Sequence, residues 1–243
     1  MKNQIFILLT LLPIFSVSQN KTYLGIEIGP KYEIYELEEQ SRDISTPPFY
    51  YSPILGVTLG QDINSWLTVE TGFFYNNYGE SYRIRGDIGF GLSNAINAYQ
   101  IPLRLKPKFR LFENRIVLSP TLGYTFAFND EFGSDGNGGG FSSIGMSMPG
   151  FNDSTRYQDR SNYSLQRTYG LIETGFGVEF NFSPSVTVFS SFNYLRGIKR
   201  VVEIDITYKI NDDPEETATV YSNGGYYAVA FGVRYAISDF WRD

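Results

Sequence analysis

The chain has 243 residues, of which 20 are Lys or Arg and 26 are Asp or Glu, so its formal net charge is −6. A net negative charge argues against nucleic-acid binding, which requires a basic surface. The sequence contains no Cys and no His. Disulfides and thiolate metal ligands are therefore excluded, and so are the commonest metal ligand and the commonest general base.

The first predicted element is a secretory signal peptide over residues 1–18. Lys2 provides a positive start, residues 5–17 form a short apolar run, and Ser16 and Ser18 are the small residues expected before a cleavage site at Gln19. An uncleaved anchor helix is the alternative, but the run is short compared with the roughly 20 residues of a membrane-spanning helix. We therefore expect cleavage to leave residues 19–243 as one domain.

Eight later segments alternate apolar and polar residues with a period of two, which is typical of β-strands. They span residues 23–34, 53–61, 67–76, 98–112, 116–128, 171–182, 186–196 and 227–237. In the fourth segment one face is apolar, and the alternate face carries four cations, namely Arg104, Lys106, Lys108 and Arg110. In the seventh segment, Phe189 and Leu195 interrupt the alternation.

The connections between these segments also alternate, in this case between short and long. Residues 63–66, 113–115 and 183–185 are short turns, whereas the long polar connections span residues 37–50, 77–96, 129–165 and 201–223. An even number of strands with short turns at one rim and long loops at the other is typical of bacterial outer-membrane barrels. We predict an all-β fold: an eight-stranded antiparallel up-and-down transmembrane β-barrel in the outer membrane, with short periplasmic turns and long extracellular loops.

Side-chain size predicts which face of each strand contacts lipid. A narrow barrel has little room for bulky apolar groups inside, whereas the opposite face carries Gly, Ala, Ser, Thr and charges that fit there. We therefore expect the apolar face to contact lipid, with aromatic girdles near both rims. The girdle candidates are Tyr99, Phe112, Tyr124, Phe128, Phe180, Phe182, Tyr227, Phe240 and Trp241. A secreted lipocalin-type barrel is the alternative, and it requires the opposite assignment of the faces.

The predicted lumen contains charges of both signs. They are Glu27, Lys31, Glu33, Glu70, Arg104, Lys106, Lys108, Arg110, Glu173, Glu179 and Arg234. Glu70 lies on the strand next to the basic fourth strand, and the strand of Glu27 closes the barrel against that of Arg234. One interpretation is a buried ion-pair network that fills the barrel, since unpaired buried charges are costly. The other is a charged conduit or binding cavity.

The sequence predicts no catalytic, metal or cofactor site. Asp130, Glu131 and Asp135 lie in an acidic, glycine-rich stretch, but its spacing does not match an EF-hand loop. We interpret the stretch as an extracellular loop, and a loosely held cation at these carboxylates is the alternative. Residues 211–216 are similarly interpreted as a solvated loop tip. Without His, Ser–His and Asp–His machinery is nearly excluded, so we expect a non-enzymatic protein. A carboxylate-only or tyrosine-based enzyme is the alternative.

The long connection 129–165 is the candidate site for envelope protein partners. Loops on rigid scaffolds often carry function, and this one contains large apolar and aromatic side chains, namely Phe141, Met146, Met148, Tyr157 and Tyr163. The alternative is a loop that binds nothing.

Residues 99–106, Y-Q-I-P-L-R-L-K, resemble the Y-x-x-I-P-L-x-x-K signature of PorT-like outer-membrane β-barrels. The basic position falls at Lys106, but one residue instead of two separates Tyr99 from Ile101, so the spacing departs from that signature. Residues 71–75 and 122–126 are similar to the recurring G-x-x-Y/F pattern of the family. The resemblance implies an outer-membrane barrel, and some members of the family are linked to protein secretion.

We therefore expect a structural or interaction component of the cell envelope, in contact with outer-membrane lipid. A small porin-like channel or transporter with a charged lumen is the alternative function.

Overall fold

The computed structural model describes residues 21–39, 44–45, 51–78, 82–84, 89–90, 96–130, 141–144, 157–210 and 214–237. Within these ranges the chain forms seventeen β-strands: β1 Thr22–Glu33, β2 Glu36–Glu39, β3 Ile44–Ser45, β4 Tyr51–Asp62, β5 Leu67–Tyr78, β6 Tyr82–Ile84, β7 Gly89–Phe90, β8 Ile96–Pro107, β9 Phe109–Leu111, β10 Ile116–Asn129, β11 Phe141–Ile144, β12 Tyr157–Leu165, β13 Thr168–Asn181, β14 Val186–Gly197, β15 Val202–Ile210, β16 Glu216–Ser222 and β17 Tyr226–Ala236. No helix in the described ranges is long and apolar enough to cross a membrane.

Eight of these strands form a closed antiparallel barrel in the order β1, β4, β5, β8, β10, β13, β14 and β17. β17 pairs with β1 through a register that places Val233 opposite Ile26, so the sheet has no free edge. β9 continues β8 beyond Lys108, and both pair with β10. Strands adjacent in the barrel follow one another along the chain, which confirms the predicted eight-stranded up-and-down barrel.

The prediction that the long connections are loops is wrong for part of each of them. Residues in all four connections form strands, and β11, β12, β15, β16 and β2 make a second, five-stranded sheet. Residues 202–210 alternate as regularly as the barrel strands, so the sequence contained a signal for β15. Residues 211–213 of the predicted loop tip lie outside the described residues.

The second sheet extends one side of the barrel beyond its long-loop rim. Its order β12, β15, β16, β2 repeats the order β13, β14, β17, β1 of the barrel strands that these segments adjoin along the chain. The extension, defined as β2, β11, β12, β15 and β16, therefore continues the barrel wall on the extracellular side.

The apolar side chains change sides between the barrel and the extension. In the barrel, Ile26 on the outer face is 59% exposed, whereas the next residue, Glu27, is 2% exposed. In β15 the inward residues are apolar and at most 2% exposed, namely Val202, Ile204, Ile206 and Tyr208. The residues between them, Glu203 and Asp205, lie on the outside. An apolar outer band below a polar outer surface is the pattern of a protein that leaves the membrane at the start of the extension.

Aromatic side chains mark both edges of the apolar band. At the long-loop rim, the Tyr99 ring stacks on Phe73 at 5.7 Å and on Phe128 at 5.4 Å, and Tyr227 stacks on Tyr194 at 4.9 Å. At the short-turn rim, the aromatic side chains that are more than half exposed include Trp66, Phe112 and Phe182. Of the predicted girdle residues, Phe240 and Trp241 lie outside the described residues.

The seventh barrel strand keeps a regular alternation. Phe189 and Leu195 point into the barrel and are 4% and 2% exposed. They interrupt the alternation of apolar and polar residues in the sequence, but not the alternation of inward and outward positions. The interior position of Phe189 is possible because Gly232 opposes it in β17, where a Cβ atom would overlap the Phe189 ring.

Arg substitutions should distinguish the lipid-facing band from the polar outside of the extension. We expect Ile26→Arg, near the middle of β1, to destabilise the folded barrel in lipid vesicles by about 2–4 kcal/mol, because it places a cation in hydrocarbon. Thr217→Arg, at an exposed position in β16, is the control and should change stability by less than about 0.5 kcal/mol. Urea unfolding followed by tryptophan fluorescence measures both values, and equal losses would contradict the proposed membrane boundary.

Candidate functional site

Nine of the eleven predicted lumen charges are at most 5% exposed and lie inside the barrel, namely Glu27, Lys31, Glu33, Glu70, Arg104, Lys106, Glu173, Glu179 and Arg234. The remaining two, Lys108 and Arg110, lie at the short-turn end, where Lys108 is half-buried and Arg110 is exposed. The nine buried charges divide into a larger network in the periplasmic half of the barrel and a Lys31–Glu33 pair nearer the extracellular half.

Glu70 is the centre of the larger network. Its Oε1 atom lies 3.0 Å from Lys106 Nζ and 3.1 Å from Arg104 Nη1. Its Oε2 atom lies 3.0 Å from Arg234 Nη2 and accepts a 2.9 Å hydrogen bond from the Tyr23 hydroxyl. The β5–β8 register, which places Glu70 directly opposite Arg104, brings these two partners together. One carboxylate thus joins three buried cations.

Two arginines connect this centre to the rest of the wall. Arg104 also contacts Glu27 at 3.1 Å and Glu173 at 2.9 Å. Arg234 also donates a 2.5 Å hydrogen bond to Glu179. The network therefore contains three cations and four carboxylates from β1, β5, β8, β13 and β17. A buried network of this kind holds the strands in one register, because removal of any partner leaves a charge uncompensated.

A glycine makes room for Tyr23 in the network. Gly60 lies opposite Tyr23 in the β1–β4 register, and a Cβ atom at Gly60 would overlap the Tyr23 ring. The missing side chain lets the tyrosine lie across the neighbouring strand and reach Glu70 on β5. Tyr23 is not among the predicted lumen residues, although it has the same parity as Glu27.

A cluster of tyrosines lies above the network, toward the extracellular side. Lys31 pairs with Glu33 at 2.9 Å, and its Nζ lies 3.8 Å from the centre of the Tyr78 ring. The Tyr169 hydroxyl donates a 2.7 Å hydrogen bond to the Tyr78 hydroxyl, and the Tyr226 ring lies in the same region. Sequence reasoning missed these three tyrosines because they occupy strand ends beyond the predicted segments.

An apolar core follows above the tyrosine cluster. It includes Leu171 and Leu195 from the barrel together with Ile204, Ile206 and Val220 from the extension, all at most 2% exposed. Ion pairs, tyrosines and apolar side chains therefore succeed one another along the barrel axis, as expected for a barrel of about eight strands, whose interior side chains fill it.

A cavity of ≈ 210 Å³ remains at the short-turn end, below the ion-pair network. The charged residues that line it are Lys21, Asp62, Lys108, Arg110, Glu179 and Arg234. Lys108 pairs with Asp62. Lys21 Nζ donates a 2.6 Å hydrogen bond to the carbonyl of Pro184.

A second charged group lies on the outside of the extension. Arg200 pairs with Glu38 and, at 3.0 Å, with Glu203, and its guanidinium lies 3.9 Å from the centre of the Tyr221 ring. The hydrogen bond to Glu203 raises the pKa of Arg200 above its ordinary value, and a hydrogen bond to Glu36 raises the pKa of Tyr221. Exposed pairs of this kind contribute little to the free energy of folding, so we do not expect this group to hold the fold together.

The other sequence candidates fall largely outside the described residues. Asp130 follows β10, but Glu131 and Asp135 are not described. In the connection 129–165, residues 141–144 and 157–165 form β11 and β12, whereas Met146 and Met148 lie outside the described residues. Within the described ranges, no group of three or more His, Cys, Asp or Glu residues is placed to hold a metal ion.

Comparison with known proteins finds similar folds but no matching family. No family model and no curated protein matches the sequence. Similar solved structures include the outer membrane protein OprG from Pseudomonas aeruginosa, with 12% identity over 89% of this chain and 97% of that chain and a TM-score of 0.47. Neisserial surface protein A has 13% identity over 90% of this chain and 99% of that chain, with a TM-score of 0.49. A major outer membrane protein from Thermus thermophilus has 11% identity over 90% of this chain and 99% of that chain, with a TM-score of 0.45.

These similarities concern the fold alone, and the assignment of this chain to the β-barrel class depends on its own closed sheet. The apolar outer band around a closed sheet places the barrel in the outer membrane, as the sequence predicts.

Glu70 should be more important for stability than an exposed glutamate. We expect Glu70→Gln to destabilise the barrel by about 3–5 kcal/mol, because it leaves buried Lys106 without its closest carboxylate partner. The double variant Glu70→Gln/Lys106→Met should recover much of this loss, since a buried pair can be replaced by apolar groups. Urea unfolding in vesicles measures the free energy of unfolding.

Glu203→Gln, in the exposed pair with Arg200, is the matched control and should change the free energy of unfolding far less, because solvent screens that pair. A loss for Glu70→Gln as small as that of the control would show that the network does not stabilise the barrel.

Proposed function

We propose that this chain is a non-enzymatic, non-conducting outer-membrane barrel that anchors an interaction surface outside the cell. The filled interior is the main support for this proposal. Glu70, Tyr78 and Ile204, which belong to three successive layers along the barrel axis, are all completely buried. Water and ions need a continuous polar path, and a barrel of this width retains little space once its side chains are in place.

The extension supports the second part of the proposal. Its outer face is polar, its inner face joins the core, and its strands continue those of the barrel. A rigid sheet above the membrane is a suitable binding surface for a protein partner. Its backbone is already ordered, so binding does not have to offset the entropy cost of ordering it.

β11 is the strongest candidate for the contact with a partner. It lies within the connection 129–165, and among the described strands it is the last of the extension and pairs only with β12. An edge strand offers unpaired N–H and C=O groups to a strand of another protein. We therefore propose that an envelope protein docks by adding a strand at this edge.

The link to protein secretion that the PorT-like resemblance implies stays a prediction. Some members of that family are linked to secretion, but no residue of this chain supports such a link by itself. The absence of His argues against the commonest hydrolytic mechanisms, and the non-enzymatic assignment remains a prediction on that ground. The buried side chains that fill the described part of the barrel argue against the channel alternative.

Conductance tests the filled interior. We expect the purified, refolded protein to migrate faster before boiling than after it, as a closed barrel does, and to add no stable conductance steps to a planar lipid bilayer. A porin preparation in the same bilayer is the positive control. Stable steps whose ion selectivity changes in Arg104→Gln would contradict the proposal and favour a channel through the charged lumen.

Proline substitutions test the proposed edge. Neighbouring residues of a strand direct their N–H groups to opposite sides, so one of Ser142→Pro and Ser143→Pro removes an outward N–H and the other removes one that faces β12. We expect the outward variant to lose a partner that copurifies in mild detergent while it keeps the heat-dependent mobility shift. Copurification unchanged in both variants would contradict docking at β11.

A further inference from the structure

The cavity at the short-turn end has a charge opposite to that of the protein. The whole chain carries a formal charge of −6. The cavity lining, in contrast, includes four cations, namely Lys21, Lys108, Arg110 and Arg234, and two carboxylates, Asp62 and Glu179. The formal charge of the lining is therefore +2, the difference between four cations and two carboxylates. Low-dielectric walls around a recess concentrate such a potential and raise the local concentration of anions.

The two carboxylates are already used by two of the cations. Asp62 pairs with Lys108, and Glu179 pairs with Arg234. Among the described residues, neither Lys21 nor Arg110 has a carboxylate within ion-pair distance, and both residues are exposed. The charges of Lys21 and Arg110 are thus not paired with a carboxylate of the described residues.

Arg234 adds a buried cation to the wall of the cavity. Its side chain is 4% exposed, and its two Nη atoms contact Glu70 and Glu179. Its Nε atom is buried and has no hydrogen-bond partner among the described residues. Buried guanidinium N–H groups are normally satisfied, and a charged oxygen acceptor is the strongest partner for one.

The rim of the cavity is held in a fixed shape. Phe112, Glu113 and Asn114 have φ values of 49°, 54° and 69°, which lie in the left-handed region that non-glycine residues rarely occupy. Asn181 Nδ2 donates a 2.5 Å hydrogen bond to the Asn114 carbonyl, and Thr187 donates to Asn181 Oδ1 at 2.8 Å. Because side chains of neighbouring strands hold this turn in one conformation, its polar groups are already in position before a ligand binds.

We propose that this cavity is a binding site for a small oxyanion of about two negative charges, taken from the periplasm. Two such negative charges match the unpaired charges of Lys21 and Arg110, and Arg234 lines the same cavity. The short-turn rim faces the periplasm, so the ligand enters from that side. A phosphate group and a pair of carboxylates share this chemistry, and either source fits the lining.

Calorimetric titration of the full, refolded chain in a non-ionic detergent tests the site, with orthophosphate and the dicarboxylate glutarate as separate probes. We expect saturable binding of at least one probe with a stoichiometry of one. Arg110→Gln should weaken it by about ten-fold, as expected for the loss of one charged hydrogen bond. Arg115→Gln is the matched control, because Arg115 lies at the same rim but does not line the cavity.

Binding of orthophosphate alone would identify a phosphate source, and binding of glutarate alone a carboxylate source; either result, or both, supports the site. The absence of saturable binding would overturn the proposal, and so would equal weakening by Arg110→Gln and Arg115→Gln. The heat-dependent mobility shift shows that each variant is folded. The site lies below the filled part of the lumen, so the conductance result does not affect this outcome.

Discussion

The membrane-spanning wall depends on one constraint, which is that lipid offers no hydrogen-bond partner to the backbone. Every N–H and C=O group of the wall must therefore pair within the sheet. The β1–β17 seam satisfies this condition by closing the sheet on itself. Closure in turn sorts the side chains into two sets, because alternate residues of each strand must point either to lipid or to the lumen.

The interior follows from the narrowness of that closed sheet. Lumen-facing positions hold charges of both signs, and their distances from one another are set by the register of neighbouring strands. Glu70 meets three cations because β5 lies beside β8 and faces β17 across the lumen. Removal of water from such a space makes an unpaired charge expensive, so the network and the strand register support each other.

The change of side at the start of the extension has the same physical origin. Below it, the outside of the wall is lipid, and Ile26 and its neighbours face outward. Above it, the outside is water, so Val202 and Ile204 turn inward and Glu203 turns outward. The inward apolar groups close the barrel from the extracellular side. A charged cavity remains at the opposite end, and its positive lining contrasts with the acidic surface of the extension.

Local patterns in the sequence were enough to specify the fold class, the eight barrel strands and the lumen side of each. Period-two alternation and the short and long connections contain this information, because they reflect local geometry and the solvent on each side. Which charges meet follows only from the folded barrel, since Arg104 contacts Glu27, Glu70 and Glu173 from three different strands. The same is true of Phe189 and Tyr226, which fill the lumen, and of Lys108 and Arg110, which border a cavity. These outcomes depend on strand register and on the closure of the barrel, which bring together residues far apart in the chain, and no local pattern specifies such distances.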